Sequence, residues 1–200
     1  MQRFAIFEKT KKFYWSNNRI IYPIIFGCIG ILYLKQKLGF ERSFFDEFVI
    51  GIFVLTFFIG IVLSIRGFGK PDPLTGRLNG FITFEKEKII FDQQIFRLEE
   101  FKKIEITNND YYGRIKSSSK GNFNSTRSNG VDNKIEITFC NGEKKIFYFE
   151  LYNSNDLQKV KEELINYYLN GKLHFLNLID VLGITKYEEI QDFKKEIASK

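Results

Sequence analysis

The stretch Phe48–Ile65, FVIGIFVLTFFIGIVLSI, runs eighteen residues without a charge, and it limits what the rest of the chain can become. As a helix rising 1.5 Å per residue it reaches about 27 Å, close to the ~30 Å hydrocarbon core of a bilayer. A second apolar run, Ile20–Leu34, comes just before it. Its fifteen uncharged residues become a full span once Ser16–Arg19 is added and Arg19 snorkels to the headgroups. Pro23 falls in the first turn or so, where a missing N–H does least harm. YLKQKLGF follows that run and offers no small-residue cleavage pattern, so the run reads as an anchor rather than a removed signal peptide. The expectation is a two-helix transmembrane hairpin at 20–65, with a water-soluble domain hung from it.

Charge supports that division. Residues 1–65 carry eight Lys/Arg against four Asp/Glu; of the chain's 30 and 24, this leaves twenty-two against twenty for residues 66–200. A protein that tracks nucleic-acid phosphates concentrates basic charge in its folded domain, so no nucleic-acid partner is expected. Residues 1–19 form a basic and aromatic segment in which Tyr14 and Trp15 stand where amphipathic rings sit at headgroup level. With Arg19, Lys35 and Arg66 they are the expected membrane-interface residues. The N-terminal flank holds five Lys/Arg, the connector Lys35–Glu47 three and the segment 66–85 three. That bias places both termini in the cytoplasm of a multi-pass protein of the inner (plasma) membrane. Gly27, Gly30, Gly51 and the Gly60–Ser64 pair leave room for close helix approach.

Gly67–Gly76, with Pro71 and Pro73, cannot continue a helix and reads as a linker over 66–76. Beyond it the pattern turns to strands: Leu78–Phe84, Lys88–Phe91, Ile95–Leu98 and Phe101–Thr107, rich in Ile and Phe and separated by polar turns. Tyr111–Ile115 adds a further short strand before a long polar loop. Lys134–Cys140 alternates Ile135, Ile137, Phe139 with polar residues, and Asn141-Gly142 predicts a type I′ hairpin to Lys144–Leu151. Asn153–Asn170 reads as an amphipathic helix, capped by Asn153 or Ser154 and ended by Gly171. Two further short helices follow in the extension 172–200. Leu173–Leu182 is too apolar to stand free in water and is expected to dock on the domain. Thr185–Ile197, opening with the capping box TKYE, is expected to cover it.

Six or seven short antiparallel strands followed by one amphipathic helix resemble the element order of the pleckstrin-homology-like fold. The segments GRLNGFITFEKEKIIF, SNGVDNKIEITFCNGEKKIFYFEL and LQKVKEELINYYL, after two spans, are similar to the bacterial membrane-anchored version. The resemblance implies an α+β domain over 77–171: a bent antiparallel β-barrel closed at one end by its helix, with no catalytic residue to carry over. Lipid-binding eukaryotic members place several Lys/Arg in the loop joining the first two strands. Read here as Glu85–Lys88, with as many acids as bases, that loop argues against phosphoinositide binding by the same route.

The loop 109–130 is the candidate working surface, with Tyr111, Tyr112, Arg114, Lys116, Lys120, Phe123 and Arg127 against a single acid, Asp110. The alternative is a solvated loop. His174 has no second histidine to join it, Cys28 and Cys140 are far apart, and no spacing assembles a nucleophile with a base. No cofactor, metal or enzymatic activity is therefore expected. The leading functional expectation is an interaction module anchored at the cytoplasmic face, binding a protein partner or the bilayer surface. The alternative is a structural subunit whose hairpin packs on other membrane helices.

Overall fold

In the computed structural model, which describes residues 2–116 and 123–199, the first element is one that the sequence pattern did not announce. Arg3–Lys9 (β1) is a strand, and it lies in the middle of a sheet. Helices Asn17–Lys37 (α1) and Phe44–Gly67 (α2) follow. Then come Gly76–Glu85 (β2), Lys88–Phe91 (β3), Gln94–Arg97 (β4), Phe101–Thr107 (β5), Tyr112–Ile115 (β6), Arg127–Asn129 (β7), Asn133–Phe139 (β8) and Lys144–Phe149 (β9). The chain closes with Lys161–Leu169 (α3), Phe175–Val181 (α4) and Tyr187–Ala198 (α5). Two compact units result. One takes the chain up to Thr10, Leu74–Arg114 and Ser128 onward; the other takes Lys11–Pro73 and Ile115–Arg127.

The first unit is a seven-stranded antiparallel sheet in the order β4-β3-β2-β1-β9-β8-β5. β1 joins its two halves. Phe4 pairs with Ile82 and Ala5 with Phe81 on one side, while Ile6 pairs with Phe149 and Phe7 with Tyr148 on the other. The alternation RFAIFEK turns Phe4 into the core and Phe7 to the opposite face, yet each is only 3% exposed. Phe4 packs edge-on against Phe84 and Phe149. The basic residues around these two phenylalanines hide the strand in a sequence reading. The expected domain start at residue 77 is corrected accordingly, because the domain includes residues 3–9. The connection between the first two strands is therefore not Glu85–Lys88, which joins β2 to β3, but the segment 10–75 with both apolar helices in it.

The β8–β9 turn also departs from expectation. Only Gly142 of the Asn-Gly pair has a positive φ (+87°), whereas a type I′ turn needs two. The loop is instead Cys140–Gly142, closed by Phe139 N–H on Glu143 O at 2.8 Å, with glycine in the left-handed position of a three-residue hairpin. The following helix starts later than its periodicity suggested. Asp156 accepts from the Tyr152 and Asn153 N–H groups at 2.9 and 2.8 Å, which holds a 3-10 turn over Asp156–Val160 before α3 begins. Tyr167 of α3 is fully buried, and its hydroxyl donates to Glu85 O (2.5 Å) and Lys88 O (3.2 Å), pinning the helix to the β2–β3 turn.

The C-terminal extension covers the sheet's β5 edge. Ile104 N–H donates to Lys172 O at 2.7 Å. The Asn177 amide then continues the ladder as a strand would, accepting from Ile106 N (2.9 Å) and donating to Ile106 O (2.7 Å). Leu173, Leu178, Val181 and Leu182 are buried beneath it, and Phe193 and Ile197 of α5 join the same core. An open strand edge invites pairing with other chains, and this tail occupies it. The Thr185 capping box does not form; Lys186 stands at the start of α5 without a side-chain bond to the helix.

The second unit is the helix pair. Both helices are long and apolar enough to cross a membrane. They pack on each other with few buried residues: Ile21 and Cys28 on α1, and Asp46 and Val49 on α2, besides Gly60. Phe26, Tyr33, Val54, Leu55, Phe58 and Ile65 point outward and exposed. The core helix of a water-soluble domain shows the opposite pattern.

Candidate functional site

The seven loop residues expected to form one surface are divided between the two units. Tyr111, Tyr112 and Arg114 belong to the sheet unit; Lys116, Phe123 and Arg127 belong to the helix unit; Lys120 lies outside the described residues. Tyr111 packs against the sheet core, and Tyr112 is exposed with its ring 5.9 Å from that of Tyr152. Arg114 and Arg127 are exposed, and Lys116 pairs with Asp72 at 2.9 Å. Asp110, the loop's only acid, is buried. It accepts from Ser128 Oγ (2.6 Å) and Asp132 N (3.1 Å), and its own N–H donates to the buried Asn133 side chain at 3.0 Å. Asn133 donates in turn to Gly130 O at 2.8 Å. These satisfied bonds rigidify the foot of the loop.

Phe123 is the best-packed of these residues. Expected among the binding residues, it is 7% exposed and wedged into the helix pair. Asn17 at the start of α1 donates to Phe123 O at 2.8 Å, and Phe123 N–H donates to Asn18 Oδ1 at 2.8 Å. The Phe123 ring lies 5.5 Å from that of Tyr22 and sits over Gly60, where an added Cβ would come within 2.7 Å of it. Gly60 thus receives a loop side chain rather than another helix. Gly69 N–H donates to Thr126 Oγ1 at 3.0 Å, and the strap 123–127 closes over the end of the pair. The available signals were Asn17-Asn18 abutting an apolar run, together with a glycine about two turns from the end of the opposite helix.

The expected interface residues sort to the two ends of the helices. Arg19 donates to Tyr14 O at 3.0 Å and lies 4.9 Å from the centre of the Phe13 ring, which meets Trp15 edge-on at 5.0 Å. Phe13 and Trp15 are well exposed, and Arg66 is exposed at the end of α2. An arginine stacked among aromatic rings with apolar faces outward suits a headgroup layer. Lys35 sits at the other end, bridging Ser43 Oγ and Asp46 Oδ2 at 2.6 Å each, which clamps the turn between the helices.

The sheet unit carries more than one concave feature. A cleft of about 470 Å³ opens on the outer face of β1 and β2, lined by residues that include Ala5, Leu78, Phe81, Glu150, Tyr152 and Asp156. Burial pushes the Glu150 carboxyl above the usual range. Burial also raises Asp156, but the Lys159 ammonium and the Asn153 N–H outweigh it and hold that carboxyl low. Among the described residues no group of three His, Cys, Asp or Glu could hold a metal ion. His174 is exposed at the start of α4, and Cys140 is exposed with its Sγ 3.6 Å from Glu99 O. No family model, curated protein or solved structure matches the chain.

Proposed function

We propose that this chain is a membrane-anchored interaction module: a pleckstrin-homology-like domain confined to the cytoplasmic face by a helical hairpin grown out of its first strand connection. The observation that carries the reading is the placement of two membrane-length helices between β1 and β2, neighbours in one sheet. Thr10 N–H still bonds Thr75 O at 3.0 Å, so the hairpin leaves and re-enters the domain at a closed ladder. The assignment to the pleckstrin-homology-like fold is supported by a four-strand meander, β4-β3-β2-β1, a second β9-β8-β5 meander meeting it at β1, and a helix over the β2–β3 turn. In that reading the spans occupy the loop in which lipid-binding eukaryotic members carry basic residues, so insertion of the hairpin into the bilayer replaces headgroup binding. Confinement raises the effective concentration of any membrane partner, which lets weak contacts suffice.

Fractionation tests the reading. Expressed in bacteria, the full chain should sediment with membranes and resist alkaline extraction. Release into the alkaline supernatant would remove the anchor and the reading with it. One observation favours a structural subunit as the second reading: Gly27, Gly30 and Gly51 have open space where a Cβ would stand, so those helix faces can admit another helix. Stoichiometric co-purification of another membrane protein after mild solubilisation would support it.

A further inference from the structure

The cleft on β1 and β2 has a specific construction. Ala5 stands between Phe81 on β2 and Glu150, whose N–H donates to Ala5 O at 2.9 Å. Phe4, Ile82 and Phe149, which flank these three along their strands, face the core, so Ala5, Phe81 and Glu150 form one row on the outer face. The smallest side chain thus makes a floor between an aromatic wall and a carboxylate. A bulge in the β1–β2 pairing between Ala5 and Phe7, with Gly80 at φ +76° in the opposing strand, bends the surface at that point. Tyr152 adds a second aromatic group, held by its N–H on Asp156 and braced by the Tyr112 ring. Phe81 and Leu78 are half exposed at the rim.

Asp156 already has its partners in Lys159 and two backbone N–H groups. Glu150 is different. No ion pair or side-chain hydrogen bond to it occurs among the described residues, although Arg3 is exposed two positions from Ala5 on the same strand. A half-buried carboxylate without a counter-charge costs stability. Placed beside an aromatic face, it is also what a planar cation needs. A guanidinium can lie flat on Phe81 while forking two N–H groups onto Glu150, and its flat fork suits this arrangement better than a lysine ammonium does.

We propose that this cleft is a docking site for an arginine side chain of a partner polypeptide, with Glu150 as its counter-ion, Phe81 as its stacking face and Ala5 as the floor. The cleft is open along Leu78, so residues flanking that arginine can lie over the apolar rim. Arg3 at the other end repels a second basic residue and thereby disfavours polybasic segments. The inference deepens the interaction-module reading and depends on it only for where the partner is met.

The test uses the full chain in detergent micelles, isotopically labelled for nuclear magnetic resonance, titrated with the capped pentapeptide Gly-Gly-Arg-Gly-Gly. The citrulline version serves as a neutral isostere. Amide shifts should cluster at Ala5, Phe81, Glu150 and Tyr152, and the citrulline peptide should bind at least tenfold more weakly. Glu150→Gln should weaken binding at least tenfold by removing the charge, and Ala5→Leu should do the same by filling the floor, with the spectra otherwise retained. Equal binding of the two peptides, shifts elsewhere or none, or unchanged affinity in both variants would overturn the proposal. Alkaline extraction of Glu150→Gln from membranes should match the parent. A parent chain that binds the peptide yet washes off membranes would sink the anchoring reading and leave the docking site standing.

Discussion

Gly130 shows how tightly single residues hold this fold. Its φ is +73°, and an added Cβ would lie 2.2 Å from Leu151 O and 2.5 Å from Tyr112 N, both backbone atoms. Gly130→Ala should therefore cost at least the roughly 1–3 kcal/mol of a strained backbone conformation, read as a lowered urea midpoint. A midpoint equal to the parent's would show that the loop foot is free to shift. Glu150 tests a different physical term. Its folded pKa is raised, so between the unfolded carboxyl range, near about 4.3, and the folded value the native state binds the extra proton. Stability from this group is thus full at acid pH and falls as pH rises through the folded pKa. Glu150→Gln removes that loss, and its melting temperature relative to the parent should rise more at pH 7 than at pH 4. A gain of equal size at both pH values would contradict the burial argument. Asp156 runs the other way: its low folded pKa contributes stability above the unfolded range that is lost as pH falls through the folded value. The alternation at Ile135–Phe139 made these strands legible. Nothing in the spacing of Ala5, Phe81 and Glu150 marked them as neighbours, because their meeting depends on a strand register across three distant segments.

At the scale of elements, β1 decides how the domain can be handled. Burying Phe4 and Phe7 is worth about 3–6 kcal/mol together, a large share of the roughly 5–15 kcal/mol of a whole domain. Residues 77–200 alone, with bare β2 and β9 edges, should therefore show no cooperative thermal transition. Joining Thr10 to Leu74 by an Asn-Gly turn, across strands already bonded at Thr10–Thr75, should restore one. A cooperative transition in the fragment without β1 would mean that the strand is dispensable. The wedge gives a second prediction. Gly60→Leu should expel Phe123 and speed hydrogen exchange of the amides 123–126 at least tenfold, whereas unchanged exchange would show that the ring does not rest on Gly60. Element types were readable wherever one periodicity ran uninterrupted, as at β3, β5 and the helix pair. β1 was masked because seven residues bearing three charges look like a flank. The place of Phe123 was hidden because its partners, Asn17, Asn18, Tyr22 and Gly60, lie in a distant part of the sequence.

At the scale of the whole molecule, the two apolar helices are joined to the sheet unit through neighbouring strands, β1 and β2, instead of through a single tether. The apolar runs made the helix pair legible, and the strands after residue 76 made most of the domain legible. Their interleaving was hidden, since a sheet strand ahead of two spans leaves no periodic trace. The tail was readable from an apolar excess that only docking could satisfy, and the burial of Leu173, Leu178 and Leu182 accounts for it. The central claim is that the hairpin crosses a bilayer, with the sheet domain on one side and the turn 38–43 on the other. Cysteine labelling tests it most directly, because Cys140 is a native exposed reporter on the domain and Cys28 is buried and replaceable by alanine. In a Cys28→Ala background, Glu41→Cys in intact bacteria made permeable only at the outer membrane should react with a membrane-impermeant maleimide, while Cys140 reacts only after lysis. Labelling of both positions from the same side would contradict the account.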